Sequence, residues 1–495
     1  MASLTNERRA ELVQSLRFDA GQPEIAENDR NFYPIPEHLR ALDPSVVLIV
    51  GDRGAGKTKL VQLTKSPGQQ EALSRRFPDL RMMMEKTEWR DGHPLHSEGP
   101  DPRGWQAFAD AHGGDRTAMQ ELWFAYLLRV IEKHLDAEAK EALAGLLMCP
   151  GGDAERCFTE FKKSGTAALL AVDRLDKMLE REDAWLFVSY DELDTILYSD
   201  WAAMGTVIRG LISFWAIYAR RFRRVRAKLF LRTDFYRHHG DVTGADIAKL
   251  AANRVELTWS DKNLYGMLIQ HVANTSEGLF SYFKRTVPWE KNDSVLGHVP
   301  RLVKKEDARP FVERMVGSYM GANESKGQSF TWLLDHLRDG NRKASPRSLV
   351  LLIELAALIE SGTPRASGSQ ILHPISLRNA LDKVSEQHVD QAVNELPWLS
   401  GLKDRLTKDR EVPWTRKELE TLLRGRWDES WSSQSDVRPP AENARALIDY
   451  LVEFGIVRER SGLSFDVPDL FLKGLGLTRK GGVARGRPAD SRRRI

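Results

Sequence analysis

The sequence is poor in cysteine, and it has no long apolar segment. Only two of its 495 residues are cysteine, Cys149 and Cys157; they form no metal-ligand set, and nothing in the sequence favours an oxidising compartment. No apolar run approaches the roughly 20 residues that a membrane-spanning helix needs. The N-terminus is charged and lacks the apolar segment of a signal peptide. We therefore expect a cytoplasmic protein that does not engage a membrane.

The net charge of the chain is small but unevenly distributed. The chain has a net charge of +3, yet its last 17 residues, 479–495, hold seven arginines or lysines and a single aspartate. The Gly- and Arg-rich composition of this segment is typical of a disordered tail. Such a tail either contacts nucleic-acid phosphates or only keeps the terminus soluble, and the sequence leaves both alternatives open. The length indicates about two to four domains.

A glycine-rich loop between an apolar strand and a helix is the clearest motif. The stretch VVLIVGDRGAGKTKL, residues 46–60, fits the pattern G-x-x-x-x-G-K-[ST]. Glycine lets main-chain N–H groups approach an anion, and the helix N-terminus adds unpaired N–H groups. We predict that Lys57 reaches the terminal phosphates of a nucleotide and that the Thr58 hydroxyl binds Mg²⁺. The predicted phosphate-binding residues are Gly51, Asp52, Arg53, Gly54, Ala55, Gly56, Lys57 and Thr58.

A second apolar strand ends in two carboxylates. In AWLFVSYDELD, residues 184–194, the segment 185–190 is apolar enough for a strand that is buried on both faces, and Asp191 and Glu192 follow it. An aspartate there can hold Mg²⁺, and the adjacent glutamate can accept a proton from the attacking water. We predict Asp191 as a metal ligand and Glu192 as the general base. The alternative is an acidic cap on the following turn.

Two further predicted strands supply candidate polar groups. KLFL, residues 228–231, leads into Arg232 and Thr233. Thr233 is the candidate that hydrogen-bonds the γ-phosphate or the water, and Arg232 is an alternative phosphate contact. Arg254 precedes a strand predicted at 255–259. It is either an arginine finger toward a neighbouring subunit's nucleotide or an ordinary ion-pair partner.

The motif order resembles bacterial P-loop ATPases of the AAA/STAND-like (ASCE) division, of the kind found in phage-defence gene clusters. The residues that carry the resemblance are the glycine-rich loop, the D-E strand, KLFLRTD, and NRVELTW with the helical DKNLYGMLIQHV. It spans about residues 30–480, and only the nucleotide motifs are specific. It implies an α/β fold with a parallel-sheet P-loop NTPase core, in which another strand separates the D-E strand from the P-loop strand. ATP and Mg²⁺ are the implied ligands, and adenine rests on this resemblance alone.

The stretch between the loop and the D-E strand is longer than a minimal core needs. Apolar side chains at helical spacing predict a helical insertion at about 100–182, which covers the sheet or recognises a partner. Before it, LRMMMEKTEWR is a candidate for the strand beside the D-E strand. After the D-E strand, 201–226 is a predicted helix that ends in five arginines, which suit a helix C-terminus or contact nucleic acid.

The remainder is predicted to be mostly helical. Residues 261–362 form a predicted lid, in which Pro346 marks the start of an apolar helix. In AAA-like ATPases an arginine at this place reaches back to the γ-phosphate, so Arg347 is a candidate sensor, with an ordinary solvated arginine as the alternative. Residues 361–370 form a predicted linker. Helices and two short strands over 371–478 predict a winged-helix-like module, which binds DNA or packs against a partner.

These interpretations predict a P-loop ATPase core at 1–260, a helical lid at 261–362, a winged-helix-like module at 371–478 and a basic tail at 479–495. We expect ATP hydrolysis coupled to a shape change between core and lid. The resemblance implies a homo-oligomer that acts with a separate effector protein in bacterial anti-phage defence, and nucleic acid is a candidate partner of the winged helix and tail. The alternatives are a nucleotide-gated DNA-binding regulator or mobile-element ATPase, and a scaffold with little turnover.

Overall fold

The fold is taken from a computed structural model of the chain. The structure describes residues 4–18, 30, 32–78, 86–93, 99, 101–113, 115–193, 196–197, 201–239, 245–407, 409–424, 431, 439, 441–460 and 464–480. The basic tail, except for residues 479 and 480, lies outside the described residues. The chain divides into two compact units: one comprises Glu24–Ala308 and Ser345–Arg347, and the other comprises Met1–Pro23, Arg309–Ala344 and Ser348–Ile495. The finer four-part division stays a prediction.

The first unit is built on a five-stranded parallel sheet. Its strands are β1 (Leu48–Gly51), β2 (Thr87–Asp91), β3 (Trp185–Tyr190), β4 (Val225–Arg232) and β5 (Val255–Leu257). Their order across the sheet is β2-β3-β4-β1-β5. All four pairings are parallel, so every strand ends at the same edge. One strand, β4, therefore separates the D-E strand from the P-loop strand, as the ASCE resemblance implies, and the predicted α/β fold class is confirmed.

Helices cover this sheet and fill the sequence between its strands. They are α2 (Pro36–Leu42), α3 (Lys57–Lys65), α4 (Pro67–Arg76), α5 (Pro102–His112), α6 (Arg116–Val130), α7 (Ala137–Ala142), α8 (Ala144–Leu147), α9 (Ala154–Ser164), α10 (Thr166–Arg181), α11 (Trp201–Arg221), α12 (Thr233–His239), α13 (Ala245–Ala252), α14 (Asp261–Thr275) and α15 (Glu277–Phe283). Helices α5 to α10 form the predicted insertion, and their apolar faces share one buried core with β3, β4 and α11. The insertion therefore packs as a cover for the sheet, which is one of the two alternatives for its role.

The predicted helix 201–226 is too long by one turn. Helix α11 ends at Arg221, and Val225 already belongs to β4. The buried carboxylate of Asp176 accepts hydrogen bonds from the N–H groups of Arg223, Arg224 and Val225 at 2.7–2.9 Å. These donors are withdrawn from helical bonding, so Arg223 and Arg224 lie in the turn before the strand, whereas Arg220 and Arg221 lie in the last turn of α11 as predicted and Arg226 lies in β4.

The second unit is mainly helical and ends in small sheets. Its elements are α1 (Asn6–Gln14), α16 (Arg309–Val316), α17 (Ser329–Asp335), α18 (Pro346–Gly362), α19 (Pro374–Glu395), α20 (Leu399–Leu406), β6 (Glu411–Val412), β7 (Trp414–Thr415), α21 (Arg416–Leu423), α22 (Ala444–Glu453), β8 (Arg458–Arg460), β9 (Ser464–Asp466), α23 (Asp469–Leu472) and β10 (Thr478–Arg479). Strands β7, β9 and β8 form an antiparallel sheet in that order, and β6 pairs with β10. The turn predicted at residues 461 and 462 lies outside the described residues. No described helix is both long and apolar enough to cross a lipid bilayer.

The predicted linker after α18 is fixed by one buried carboxylate. Glu360 is 2% exposed. It accepts hydrogen bonds from the N–H groups of Arg365 and Ala366, both at 2.6 Å, and from the Ser376 hydroxyl at 2.5 Å. The backbone between α18 and α19 is therefore tied to the end of α18.

Candidate active site

The loop after β1 has the backbone that a phosphate-binding cradle requires. Gly54 has φ +72° and Gly56 has φ +95°, and both values lie in the left-handed region that favours glycine. Gly56 directly precedes α3, whose first residue is Lys57. The N–H groups of the first helical turn therefore point into the loop, where an anion is stabilised by them and by the helix dipole.

The loop is held by contacts within itself and by contacts with β5 and the residues that follow it. The Lys57 ammonium donates to the carbonyl oxygens of Gly51 at 2.8 Å and Asp52 at 3.2 Å. The Trp259 indole N–H donates to the carbonyl oxygen of Ala55 at 2.9 Å. A Cβ built on Gly51 would lie 3.3 Å from the Cβ of Leu257, so a larger residue there would push the loop away from β5.

The two predicted carboxylates lie at the same edge of the sheet as the loop. Asp191 and Glu192 follow the last residue of β3, and Tyr190 pairs with Leu229 of β4, which in turn pairs with Leu48 of β1. Two interstrand spacings separate β3 from β1, which is about 10 Å. Glu192 has φ +54°, a left-handed conformation that a non-glycine residue adopts only when its surroundings impose it. The strand end thus fixes the direction in which this carboxylate leaves the sheet.

Strand β4 ends between the loop and the carboxylates. Arg232, its last residue, pairs with Gly51. The Thr233 side chain that follows is buried, and its hydroxyl oxygen has no hydrogen-bond partner among the described residues. A buried hydroxyl without a partner is costly unless a ligand or water satisfies it. This is the expected state of a group that contacts a bound ligand.

An ion pair occupies the same strand end. The Arg232 guanidinium donates to both carboxylate oxygens of Asp234, at 3.0 and 2.5 Å. Burial raises the pKa of Asp234, but the Arg232 charge and hydrogen bonds, the Phe235 N–H and the nearby Lys57 charge outweigh it and hold that pKa below its ordinary value. Asp234 is therefore an anion between two cations.

The start of α18 contacts the loop. A Cβ built on Gly54 would lie 3.0 Å from the Cβ of Arg347 and 3.1 Å from the Ser345 hydroxyl oxygen. The segment Ser345–Arg347 belongs to the sheet unit, although the residues on either side of it belong to the other unit. The structure thus brings the predicted sensor Arg347 next to the phosphate loop.

Arg254 is the predicted residue that the structure does not bring to the loop of its own chain. It precedes β5, whose first residue pairs with Ile49, so it lies near the start of the strands and away from the edge that carries the loop. Its guanidinium donates to the Ala251 carbonyl at 3.0 Å and lies 5.6 Å from the Tyr236 ring centre. Its role toward a neighbouring subunit stays a prediction.

Sequence reasoning missed Trp259, Asp234 and Ser345 as site residues. Trp259 lay in a predicted strand, but β5 ends at Leu257, which frees the indole to reach the loop. The sequence Arg-Thr-Asp at 232–234 contains both partners of the ion pair. Hydrophobic periodicity, however, does not indicate whether two residues that are two positions apart form an ion pair. Nothing in the sequence placed Ser345 beside Gly54, because that contact crosses almost 300 residues.

The predicted metal ligands fit magnesium by their chemistry. Thr58 lies in the first turn of α3, and Asp191 follows β3 at the same sheet edge. A hydroxyl and a carboxylate are hard oxygen donors, and Mg²⁺ usually takes one or two of them together with nucleotide phosphates and water. Within the described ranges, no group of three or more His, Cys, Asp or Glu side chains is arranged to hold a metal by protein ligands alone.

Comparisons with known proteins give little beyond this geometry. No protein-family model matches the chain, and no curated protein matches its sequence. Among solved structures it is similar to Cdc6p from Pyrobaculum aerophilum, at 10% identity and a TM-score of 0.29 over 96% of this chain and 97% of that one. It is also similar to the Aeropyrum pernix ORC1 protein in complex with DNA, at 12% identity and a TM-score of 0.35 over 93% and 95% of the two chains. At these TM-scores no conclusion rests on the similarity, and the strand order and the loop carry the assignment of the P-loop fold.

Proposed function

We propose that the chain binds ATP with Mg²⁺ and hydrolyses it to ADP and phosphate. The observation that carries this proposal is the convergence of three strand ends at one sheet edge. That edge presents the cradle at residues 51–58, the carboxylates after β3, and the buried hydroxyl of Thr233 after β4, which has no hydrogen-bond partner among the described residues. A phosphate cradle beside a pair of acids is the arrangement that hydrolysis of a nucleoside triphosphate requires.

Each residue has a role that follows from its place. Lys57 leaves the loop carbonyls of Gly51 and Asp52 and pairs with the terminal phosphates. Thr58 and Asp191 would hold Mg²⁺, which supplies neutralising charge to the triphosphate. Glu192 orients a water molecule and takes its proton, and Thr233 hydrogen-bonds the γ-phosphate or that water.

An aromatic cluster in the core supports the proposed nucleotide loop. The His38 ring centre lies 4.9 Å from that of Phe32 and 5.9 Å from that of Trp259, the residue that also binds the loop. Phe32 and His38 are buried, and burial lowers the pKa of His38 to about 3, so its ring is neutral at physiological pH.

Hydrolysis is coupled to a shape change through α18. Ser345–Arg347 belongs to the sheet unit, and α18 continues into the other unit from Ser348. If Arg347 contacts the γ-phosphate, loss of that phosphate removes a contact at the start of the helix. A nucleotide can switch the conformation only if ATP and ADP make different contacts with the protein, and loss of this contact would be such a difference.

The biological setting we propose is a homo-oligomer that works with a separate effector protein in bacterial anti-phage defence. It rests on the motif resemblance and on the sequence itself, in which we find no nuclease, deaminase or TIR-like catalytic set. Arg254 is exposed, as a residue that completes a neighbour's site must be. Nucleotide-dependent assembly on a sizing column tests this part.

The Glu192→Gln variant tests hydrolysis most directly. It keeps the size of the side chain but removes the base, so turnover should fall at least about 100-fold while ATP still binds. Phosphate release and nucleotide titration measure the two quantities. A matched control is Glu182→Gln, an exposed carboxylate at the far end of β3. Wild-type turnover in Glu192→Gln would exclude the mechanism, and no turnover in the wild-type chain would favour the scaffold alternative.

A DNA-binding regulator is the second candidate, and the β7-β9-β8 sheet favours it. Arg458 and Arg460 lie two residues apart on β8, so they share one face; both pair with Asp466, and their side chains remain 38% and 41% exposed. The exposed residues Asp449 and Glu453 of α22 disfavour insertion of that helix into a groove. Duplex DNA should bind with a steep loss of affinity in salt if this candidate is correct; binding that ignores salt would exclude it.

A further inference from the structure

Asp234 differs from Asp176 and Glu360 in how far along the chain its hydrogen-bond partners lie. Asp176 binds three backbone N–H groups 47 to 49 residues away, and Glu360 ties a segment up to 16 residues away. Asp234 pairs with a side chain only two residues away. Among the described residues, the Asp234 carboxylate therefore ties no distant segment of the fold, unlike Asp176 and Glu360.

The place of the pair indicates a ligand. Arg232 is level with Gly51 at the start of the phosphate loop, and β4 lies between the loop strand and the strand that leads to Glu192. The side chains of Arg232 and Asp234 are 13% and 15% exposed, so water screens them weakly. The neighbouring hydroxyl of Thr233 is buried without a partner among the described residues.

Two cations act on the Asp234 carboxylate. Asp234 neutralises Arg232, and the Lys57 charge acts on Asp234 as well. A γ-phosphate beside Lys57 would offer the guanidinium a second pair of anionic oxygens, and arginine binds two phosphate oxygens through parallel N–H···O bonds as it binds a carboxylate. Two anions would then compete for one buried arginine.

We propose that Arg232 exchanges Asp234 for the γ-phosphate when ATP binds, so that Asp234 competes with that phosphate for the arginine. The pair forms again when only ADP remains. This inference rests on the proposed function of the site. It assigns the distinction between ATP and ADP to an arginine of the same chain, so that this distinction needs no neighbouring subunit.

A double-mutant cycle on nucleotide affinity tests the exchange. The readout is the ratio of ATP to ADP affinity, measured by calorimetry with Glu192→Gln as the background so that ATP persists. Arg232→Gln should lower this ratio about tenfold, the worth of one charge-assisted hydrogen-bond pair. Asp234→Asn, which keeps the side-chain size, should raise it severalfold by removing the competitor.

The combined variant decides the mechanism. Asp234→Asn should have no further effect once Arg232 is Gln, because its effect acts through Arg232. An effect of equal size in both backgrounds means direct repulsion of phosphate and overturns the inference, as does a wild-type chain that does not distinguish ATP from ADP. Thermal unfolding confirms that each variant is folded, and Asp91→Asn, an exposed carboxylate at the end of β2, controls for loss of one negative charge at this edge.

The two proposals fail in different ways. Nucleotide binding that survives Lys57→Ala unchanged contradicts the proposed site as a whole. Binding that depends on Lys57, together with an ATP-to-ADP ratio that ignores both Arg232→Gln and Asp234→Asn, contradicts only the exchange.

Discussion

Asp234 in the sheet unit and Asp466 in the C-terminal module are both carboxylates held by arginine, and they are built for different purposes. The Asp466 side chain is 0% exposed and contacts Arg458, Arg460 and Arg479. It also accepts the Val467 N–H at 2.9 Å. Every one of its lone pairs is satisfied within the module, and it joins β8, β9 and β10.

At the sheet edge that carries the glycine-rich loop, by contrast, the described contacts of the polar groups are local in sequence. Asp234 takes one arginine two residues away, Lys57 folds onto its own loop, and the Thr233 hydroxyl is buried without a partner in the described part of the chain. A carboxylate that links strands stabilises the fold, whereas polar groups gathered at the ends of parallel strands are placed to meet a ligand. The comparison therefore separates stability from binding, and variants can test that separation.

The largest expected effect is on stability, from Asp466→Ala. Three arginines would lose their shared anion, so the free energy of unfolding should fall by about 3 kcal/mol, a value at the low end because the arginines are partly exposed. Chemical denaturation measures it. The control is Asp449→Ala, which removes an exposed carboxylate 3.7 Å from Arg416 and should cost at most about 0.5 kcal/mol. Equal losses in the two variants would contradict the structural role of Asp466.

Lys57→Ala should show the opposite pattern. Nucleotide affinity should fall about 100-fold, because the variant loses the cation that faces the phosphates, while the unfolding temperature changes little. Nucleotide titration and thermal unfolding measure both. Lys65→Ala is the control, since Lys65 lies at the other end of the same helix in an exposed ion pair with Asp91. A large loss of stability in Lys57→Ala would remove the contrast with Asp466.

Arg347→Ala should reduce turnover about tenfold and leave ADP binding intact, if Arg347 contacts only the γ-phosphate. Steady-state phosphate release and ADP titration separate the two effects. Arg445→Ala is the control, because Arg445 is an exposed arginine at the second position of α22, as Arg347 is at the second position of α18. Wild-type turnover in Arg347→Ala would exclude a role of Arg347 in hydrolysis, and its contact with Gly54 would then serve only packing.

The smallest effect is the pH dependence of stability in the C-terminal module. Burial raises the pKa of Asp466, but Arg479 and Arg460 outweigh it and hold that pKa below its ordinary value. The stabilisation is therefore complete above the unfolded value of about 4 and is lost as pH falls below it. Unfolding temperatures from pH 7 to pH 3 should drop less in Asp466→Asn than in the wild type. Parallel curves would contradict this assignment.

The elements with strong local signals were predicted well. The apolar run before D-E is β3 at Trp185–Tyr190, and the helix after the loop is α3 at Lys57–Lys65. The strand beside the D-E strand is β2, at the C-terminal end of LRMMMEKTEWR, whose residues 80–85 lie outside the described part. The helix predicted through residue 226 failed because a distant carboxylate, Asp176, takes the N–H groups that the helix would use.

The order of the residues along the chain determined that a glycine loop, a D-E strand and a helical remainder exist, because periodicity and backbone freedom are local properties. Only the tertiary structure decided that β4 lies between β1 and β3, that Arg347 lies beside Gly54, and that Arg254 lies away from the loop. These facts depend on how strands pair and which charges become buried together. Residues far apart in sequence acquire those relations only when the chain folds and excludes water.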